Sequence, residues 1–373
     1  LNQYSPAPHL NRWALFNTMR MHEPDGRLIP EPIYYTHDTW TAACNDLYMD
    51  DNTPYKHINV INGNELTTEN YTKMWDIAGE YKGARINPDT NETEAIALYI
   101  TPSIVAEKAA TEYTVFDNGI AYLHYYSFLS EYNNELTQIF QYFKDNNAKD
   151  LILDLRYNPG GYMNAMDHLC SLIAPQTYVD KGDDLILYKY NNIMSSLEGF
   201  GKEESTTKFK QDIKSLNLNR IVIITSDMTY SASEATIIGL EPYMEVTTIG
   251  TRTGGKNQSS IQFRPSDFIY TSNNKPVYSK RINDWLLIPI IATFYNSKNE
   301  TFNTLEGLTP DYEIDEDNFL LRELGSEKEP LIAAGLEYLT TGNVTTGSNL
   351  KNAKKRYPLP NKRIIRGSLL TMP

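Results

Sequence analysis

The sequence predicts an α/β protein, with a mostly parallel sheet covered by helices on both faces and a smaller β-rich module ahead of it. Two nearly unbroken apolar runs, "DLILDLRY" and "RIVIITS", have the length and composition of strands buried on both faces. Each is followed by a helical pattern, "GYMNAMDHLCSLIAP" after the first and the stretch from Ser231 after the second. Strands alternating with helices of this size build βαβ units. Before residue 106 that rhythm is absent.

Residues 1–30 are rich in Pro, Asn and His and read as an irregular lead-in with one short helical piece, "NRWALFNTMRM". In residues 31–105 the strand candidates "YKHINVING" and "EAIALYIT" flank a helical stretch, "TTENYTKMWDIAGEY", which starts at Thr68-Glu69. From 106 to 343 comes the larger unit. "NGIAYLHYYSF" is its first strand, and "NELTQIFQYFKDN" puts Leu136, Ile139, Phe140 and Phe143 at helical spacing. "VTTIGTRT" is a further strand, closed by the turn Gly254-Gly255. Residues 344–373 form a basic tail. After Glu337 there is no Asp or Glu, whereas Lys351, Lys354, Lys355, Arg356, Lys362, Arg363 and Arg366 all follow. Such a run reads as a solvated tail, or one docked on an acidic body.

The 373-residue chain is 40% hydrophobic and carries a net charge of -13, enough apolar content for a full core and the wrong sign for nucleic acid. Cys44 and Cys170 form no disulfide framework and lack metal-site spacing, so both read as buried thiols. No apolar run is long enough to span a bilayer. The start at Leu1 rather than methionine fits an export signal removed upstream.

Ligands of open α/β sheets sit beyond the carboxyl ends of the strands. Three segments lie at such ends: Asn158-Pro159-Gly160-Gly161, Ser231-Ala232-Ser233-Glu234, and Lys256, 25 residues after Ser231. Each has a plain explanation as a turn, a helix cap and a surface charge. Together they meet the needs of a hydrolase. A serine hydroxyl needs a base, and a lysine serves when burial keeps its amine neutral. Nothing acidic lies within the Lys256 loop, and Arg252 would add to the effect. Amides of the Gly160 or Gly161 turn and of Ala232 would hold an oxyanion.

The stretches "GIAYLHYYSF", "LILDLRYNPGG", "VIITSDMTYSASEATIIGLE", "TIGTRTGGK" and "LEGLTPDYEI" resemble the C-terminal processing (tail-specific) serine peptidases in order and spacing, most closely the Bacteroides-type variant. The resemblance implies a Clp protease/crotonase-like core with a smaller β-rich PDZ-like domain over 31–105. It implies Ser231 as nucleophile and Lys256 as base, with Ser233 structural, and neither metal nor other cofactor. It implies a protein or peptide substrate, an exported periplasmic or surface location, and a lipid anchor upstream of the sequence as one mode of attachment.

Three departures from the family pattern stand out. Many relatives carry a glutamine four residues after the lysine to orient its amine; here Ser260 occupies that place and its hydroxyl is the expected orienter, with Gln258 two residues earlier. His124 matches the strand on which tricorn-type relatives carry a catalytic histidine, which makes it the alternative base or a pocket residue. The PDZ-like stretch "HINVINGNELTTENYTKMW" lacks a carboxylate-binding loop beyond the poor candidate "DGRLIP". These departures motivate one rival function, a non-catalytic extracytoplasmic peptide-binding protein. Asp154 and Arg156 read as an ion pair supporting the glycine turn.

Overall fold

A computed structural model describes residues 19–22, 58–65, 79–86, 90, 93–102, 109–196, 206–264, 287–304, 306–316 and 324–345. The first strands, β1 (Met19–His22), β2 (Ile58–Ile61), β3 (Asn64–Glu65), β4 (Gly79–Ile86) and β5 (Thr93–Pro102), form one sheet in the order β1-β5-β4-β2-β3. Every pair in it is antiparallel. Asn62 and Gly63 turn β2 into β3 with φ of 49° and 76°, the positive pair of a tight hairpin that Asn-Gly favours.

One expectation is corrected here. The end of "NRWALFNTMRM" is strand, because Met19–Met21 pair with Ile100–Pro102 of β5. Residues 66–78, the body of the expected helix, lie outside the described residues, and Gly79–Tyr81 open β4. "DGRLIP", Cys44 and residues 346–373 also lie outside them.

The larger unit follows. Its elements are β6 (Ala110–Val115), β7 (Ile120–Tyr125), α1 (Asn133–Asp145), β8 (Asp150–Asp154), α2 (Met163–Ile173), α3 (Gln176–Lys181), β9 (Asp184–Tyr190), β10 (Thr206–Lys208), β11 (Arg220–Thr225), α4 (Ala232–Leu240), β12 (Glu245–Gly250), β13 (Gln258–Ser260), β14 (Ile290–Asn296), β15 (Tyr312–Glu313) and α5 (Pro330–Thr341). The central sheet runs β15-β12-β11-β8-β7-β6. Only the β6–β7 pair is antiparallel. A second, antiparallel sheet, β10-β9-β14-β13, lies outside the βαβ rhythm.

Strand alternation explains the two-sided burial. Leu151, Leu153, Ile221 and Ile223 join Leu136, Ile139 and Phe140 of α1, Leu169 and Cys170 of α2, and Ala235 and Ile238 of α4 in one core. The intervening residues Ile152, Val222 and Ile224 join Leu331, Ile332, Ala334 and Leu339 of α5 in another. Helix α4 is buried along its whole length, so its start is fixed by packing on several sides. Helix α5 begins at Pro330, and the Glu329 side chain accepts the Leu331 and Ile332 amides at 3.0 and 2.9 Å, an N-terminal cap of the expected kind.

Gly335 of α5 sits so close to the sheet that a Cβ there would lie 2.9 Å from Ile152 Cδ1. Gly335→Leu is expected to lose about 1–3 kcal/mol of stability by overpacking. Urea unfolding of the purified variant checks this.

Candidate active site

The turn after β8 is built around Asn158. Its side-chain amide donates to the Tyr125 carbonyl (2.8 Å), and its Oδ1 accepts the Gly160 amide (2.9 Å). Its backbone carbonyl accepts the Tyr230 amide and the Ser233 hydroxyl, both at 3.0 Å. The glycine turn is thereby fastened to the segment that carries Ser231. Gly160 (φ +96°) approaches so closely that a Cβ would stand 2.8 Å from Ser231 Cβ and 2.9 Å from the Ala232 nitrogen. At Gly161 (φ +145°) it would stand 2.3 Å from the Phe128 carbonyl oxygen. Only glycine fits either position.

This geometry divides the expected oxyanion donors. The Gly160 amide donates to the Asn158 side chain. The bonds to Phe128 use the Gly160 carbonyl and the Tyr162 amide, which leaves the Gly161 amide outside that ladder. The Ala232 amide is among the donors that a helix start leaves without an intrahelical partner.

Ser231 precedes α4 with φ 57° and ψ -111°, a backbone state that costs a non-glycine residue roughly 1–3 kcal/mol. Strained serines at strand-to-helix turns present their hydroxyls outward, as in nucleophile elbows. Glu234 secures this one. Its Oε2 accepts the Ser231 amide and the Lys256 amide, each at 2.8 Å. Its Oε1 accepts the Gly255 amide at 2.8 Å and the Thr253 hydroxyl at 2.6 Å. Two residues far apart in sequence thus hang their backbone nitrogens on one oxygen atom. All four partners of Glu234 are donors, so the hydrogen-bond pattern suits the ionised carboxylate, although burial pushes its pKa above the ordinary carboxylate range.

Lys256 is half-buried. Burial lowers its pKa, and the Glu234 carboxylate partly opposes the shift. Among the described residues no carboxylate lies within ion-pair distance of its amine. The sequence shows no acidic group in the loop; the fold brings Glu234 in from α4. Arg252 turns outward, toward the Glu306 carbonyl (3.3 Å), and plays no part in lowering the amine's pKa.

The remaining candidates are dispersed. His124 is buried on β7, its Nδ1 at 2.5 Å from the Thr111 hydroxyl. By alternation it shares the α5 side of the sheet with Tyr122, whereas α4 packs on the other side with Leu123 and Tyr125. Gln258 lies opposite Thr293 in β13, and the register shifts between Ser259 and Ser260. His168 joins α2 to α1 through its Nε2 and the Thr137 hydroxyl (2.8 Å). Cys170 is a buried free thiol whose pKa burial pushes up. Among the described residues no group of His, Cys, Asp or Glu could hold a metal, and no helix is long and apolar enough to cross a membrane.

Asp154 and Arg156 are fully buried, and the pair extends to residues that local sequence could not reveal. The Arg156 guanidinium bonds Asp154 (Nη2–Oδ2, 2.8 Å), Glu316 (Nη1–Oε2, 3.1 Å) and both oxygens of Glu329 (2.7 and 2.9 Å). Tyr122 donates to Asp154 at 2.9 Å. Arginine is the residue suited to such forked contacts. It ties the end of β8 to the cap of α5.

Residues 119–314, more than half the chain, match Peptidase family S41. The chain is 26% identical over 204 residues to the carboxy-terminal processing protease CtpA of Bacillus subtilis, covering 54% of this chain and 40% of that protein. It therefore spans about two fifths of that relative's length. A structure from Bacteroides fragilis assigned to the S41 proteases superposes with a TM-score of 0.60 at 21% identity, over 79% of this chain and 77% of the other. Its likeness extends to the mixed α/β fold with a parallel-rich central sheet. This chain belongs to peptidase family S41.

A charged Lys256 costs folding free energy below its lowered pKa, and the cost fades as pH rises from there toward the ordinary lysine value near ~10.4. Lys256→Met should therefore raise the thermal unfolding midpoint at pH 7, with the gain shrinking as pH approaches ~10.

Proposed function

We propose that this S41 peptidase cleaves protein or peptide chains near their C-termini, with Ser231 as nucleophile and Lys256 as base. The observation that supports the reading most is the shared Glu234 oxygen, which sets the Ser231 and Lys256 backbones side by side next to the Gly160 turn. Ser231 Oγ attacks the carbonyl carbon while its proton passes to Lys256 Nζ. The Gly161 and Ala232 amides hold the resulting oxyanion. As the C–N bond breaks, Lys256 returns the proton to the leaving amine, and water then releases the acyl group by the same route. Ser260 orients the amine, and Gln258, on the same strand β13, is the alternative.

In this reading the larger unit is a Clp protease/crotonase-like core over 106–343, and residues 31–105 are a PDZ-like module that takes substrate tails by strand addition. The lead-in, 1–30, contributes β1 to that module's sheet, and 344–373 is a solvated or docked tail. The setting is extracytoplasmic, in the periplasm or at the cell surface. A peptidase confined there meets unfolded or exported chains as substrates.

A fluorophosphonate reagent tests the site directly, since Ser231 Oγ would bond phosphorus and expel fluoride. Wild type should be labelled and Ser231→Ala should not. Lys256→Ala should slow labelling by about 10²–10⁴-fold. The wild-type rate should climb with pH as the amine loses its proton, with a midpoint below ~10.4. Rapid labelling of Lys256→Ala that is lost in His124→Ala would move the base to His124. An unlabelled wild type at every pH up to about 9 would favour the peptide-binding protein.

A further inference from the structure

Tyr157 stands between the Arg156 cluster and the glycine turn. It is a bulky, buried residue at φ +67°, in the left-handed region that costs L-residues about 1–2 kcal/mol. Hydrogen bonds from its amide and its phenol help hold it. Its amide donates to Ser226 Oγ at 3.1 Å, and its phenol donates to Glu316 Oε1. Glu316 is itself held by Arg156 through its other oxygen. Ser226 opens the loop that leads to Ser231, and that loop is stitched to the same turn by Thr229, which takes the Ser226 amide and donates to the Leu155 carbonyl, both at 2.9 Å.

The direction in which the chain leaves Tyr157 decides where Asn158, Gly160 and Gly161 lie. Reverting Tyr157 to an ordinary negative φ would swing those residues away from Ser231. We propose that Tyr157 and Glu316 are positioning residues for the oxyanion-binding turn. The phenol–carboxylate bond pins the left-handed backbone and so aims the Gly161 amide at the oxygen of the carbonyl that Ser231 attacks. Glu316 lies 160 residues from Arg156 along the chain, so the C-terminal part of the protein completes the catalytic geometry built by β8 and β11. The inference rests on Ser231 as nucleophile.

Inactivation by a fluorophosphonate, with the maximal rate kinact separated from the half-saturating concentration KI, reads this out. Tyr157→Phe and Glu316→Gln should each lower kinact by about 10–100-fold, somewhat less than deletion of an oxyanion donor, with KI within about twofold. Tyr157→Gly adopts positive φ without strain, so its kinact should exceed that of Tyr157→Phe although both lack the phenol. A purely structural role would lower the unfolding midpoint and leave kinact unchanged in the folded fraction. The proposal is overturned if folded Tyr157→Phe keeps kinact within about twofold of wild type. Should Tyr157→Phe fail to fold, Glu316→Gln decides by the same criterion. It also falls if Tyr157→Gly is as slow as Tyr157→Phe. A wild type that reacts at Ser231 while the variants match it defeats this inference alone; a wild type inert at Ser231 defeats the nucleophile assignment and this inference with it.

Discussion

One buried carboxylate joins the pieces of the site. Glu234 takes two donors on each oxygen, and those donors belong to α4 and to the Thr253–Lys256 loop. Without it, four polar groups in a largely buried region would need other partners, each at a cost of roughly 1–3 kcal/mol. With it, the strained Ser231 backbone has a fixed neighbour, and Lys256 enters the site by its main chain whatever its side chain does. The same charge opposes the loss of the lysine proton. The balance between burial, which favours the neutral amine, and Glu234, which favours the charged one, sets the pH at which Lys256 loses its proton.

A second electrostatic centre lies on the other side of the central sheet. The guanidinium of Arg156 meets three carboxylates in a dry setting, an arrangement whose desolvation cost is offset only by near-complete hydrogen bonding. Its value to the protein is geometric. Asp154 ends β8, Glu329 caps α5, and Glu316 follows β15, so one side chain fixes the relative positions of an interior strand, an edge strand and a helix. The two centres meet through Tyr157 and Asn158, one fastened to Glu316 and the other to the Ser231 segment.

Much of the core was legible in the sequence because its signals are local. The apolar runs at 150–157 and 220–226, the helical spacing of Leu136 to Phe143, and the capping pattern from Ser231 to Glu234 each depend on neighbours a few residues apart. The lead-in misled because "NRWALFNTMRM" has helical spacing, whereas the open edge of β5 recruits Met19–His22 as a strand. The second sheet went unread because β9 and β14 lie about a hundred residues apart, with no connecting turn to announce their pairing. At the site, the glycine turn, Ser231 and Lys256 were identifiable as residue types suited to acyl transfer. The bond from the Gly160 amide to a side chain two residues back was not. Glu234 read as a helix cap, and only the fold showed that the cap also grips Lys256. Glu316 and Glu329 sit 160 and 173 residues from Arg156, beyond any local pattern.

The central claim is that burial lowers the pKa of the Lys256 amine, which suits it to serve Ser231 as base in the proposed mechanism. The most direct measurement is an NMR titration of the Lys256 side chain, followed through its ε-carbon in lysine-labelled protein and assigned with Lys256→Met. The account predicts that this amine titrates below the protein's surface lysines. A Lys256 that titrates with them, near ~10.4 or above, would contradict it.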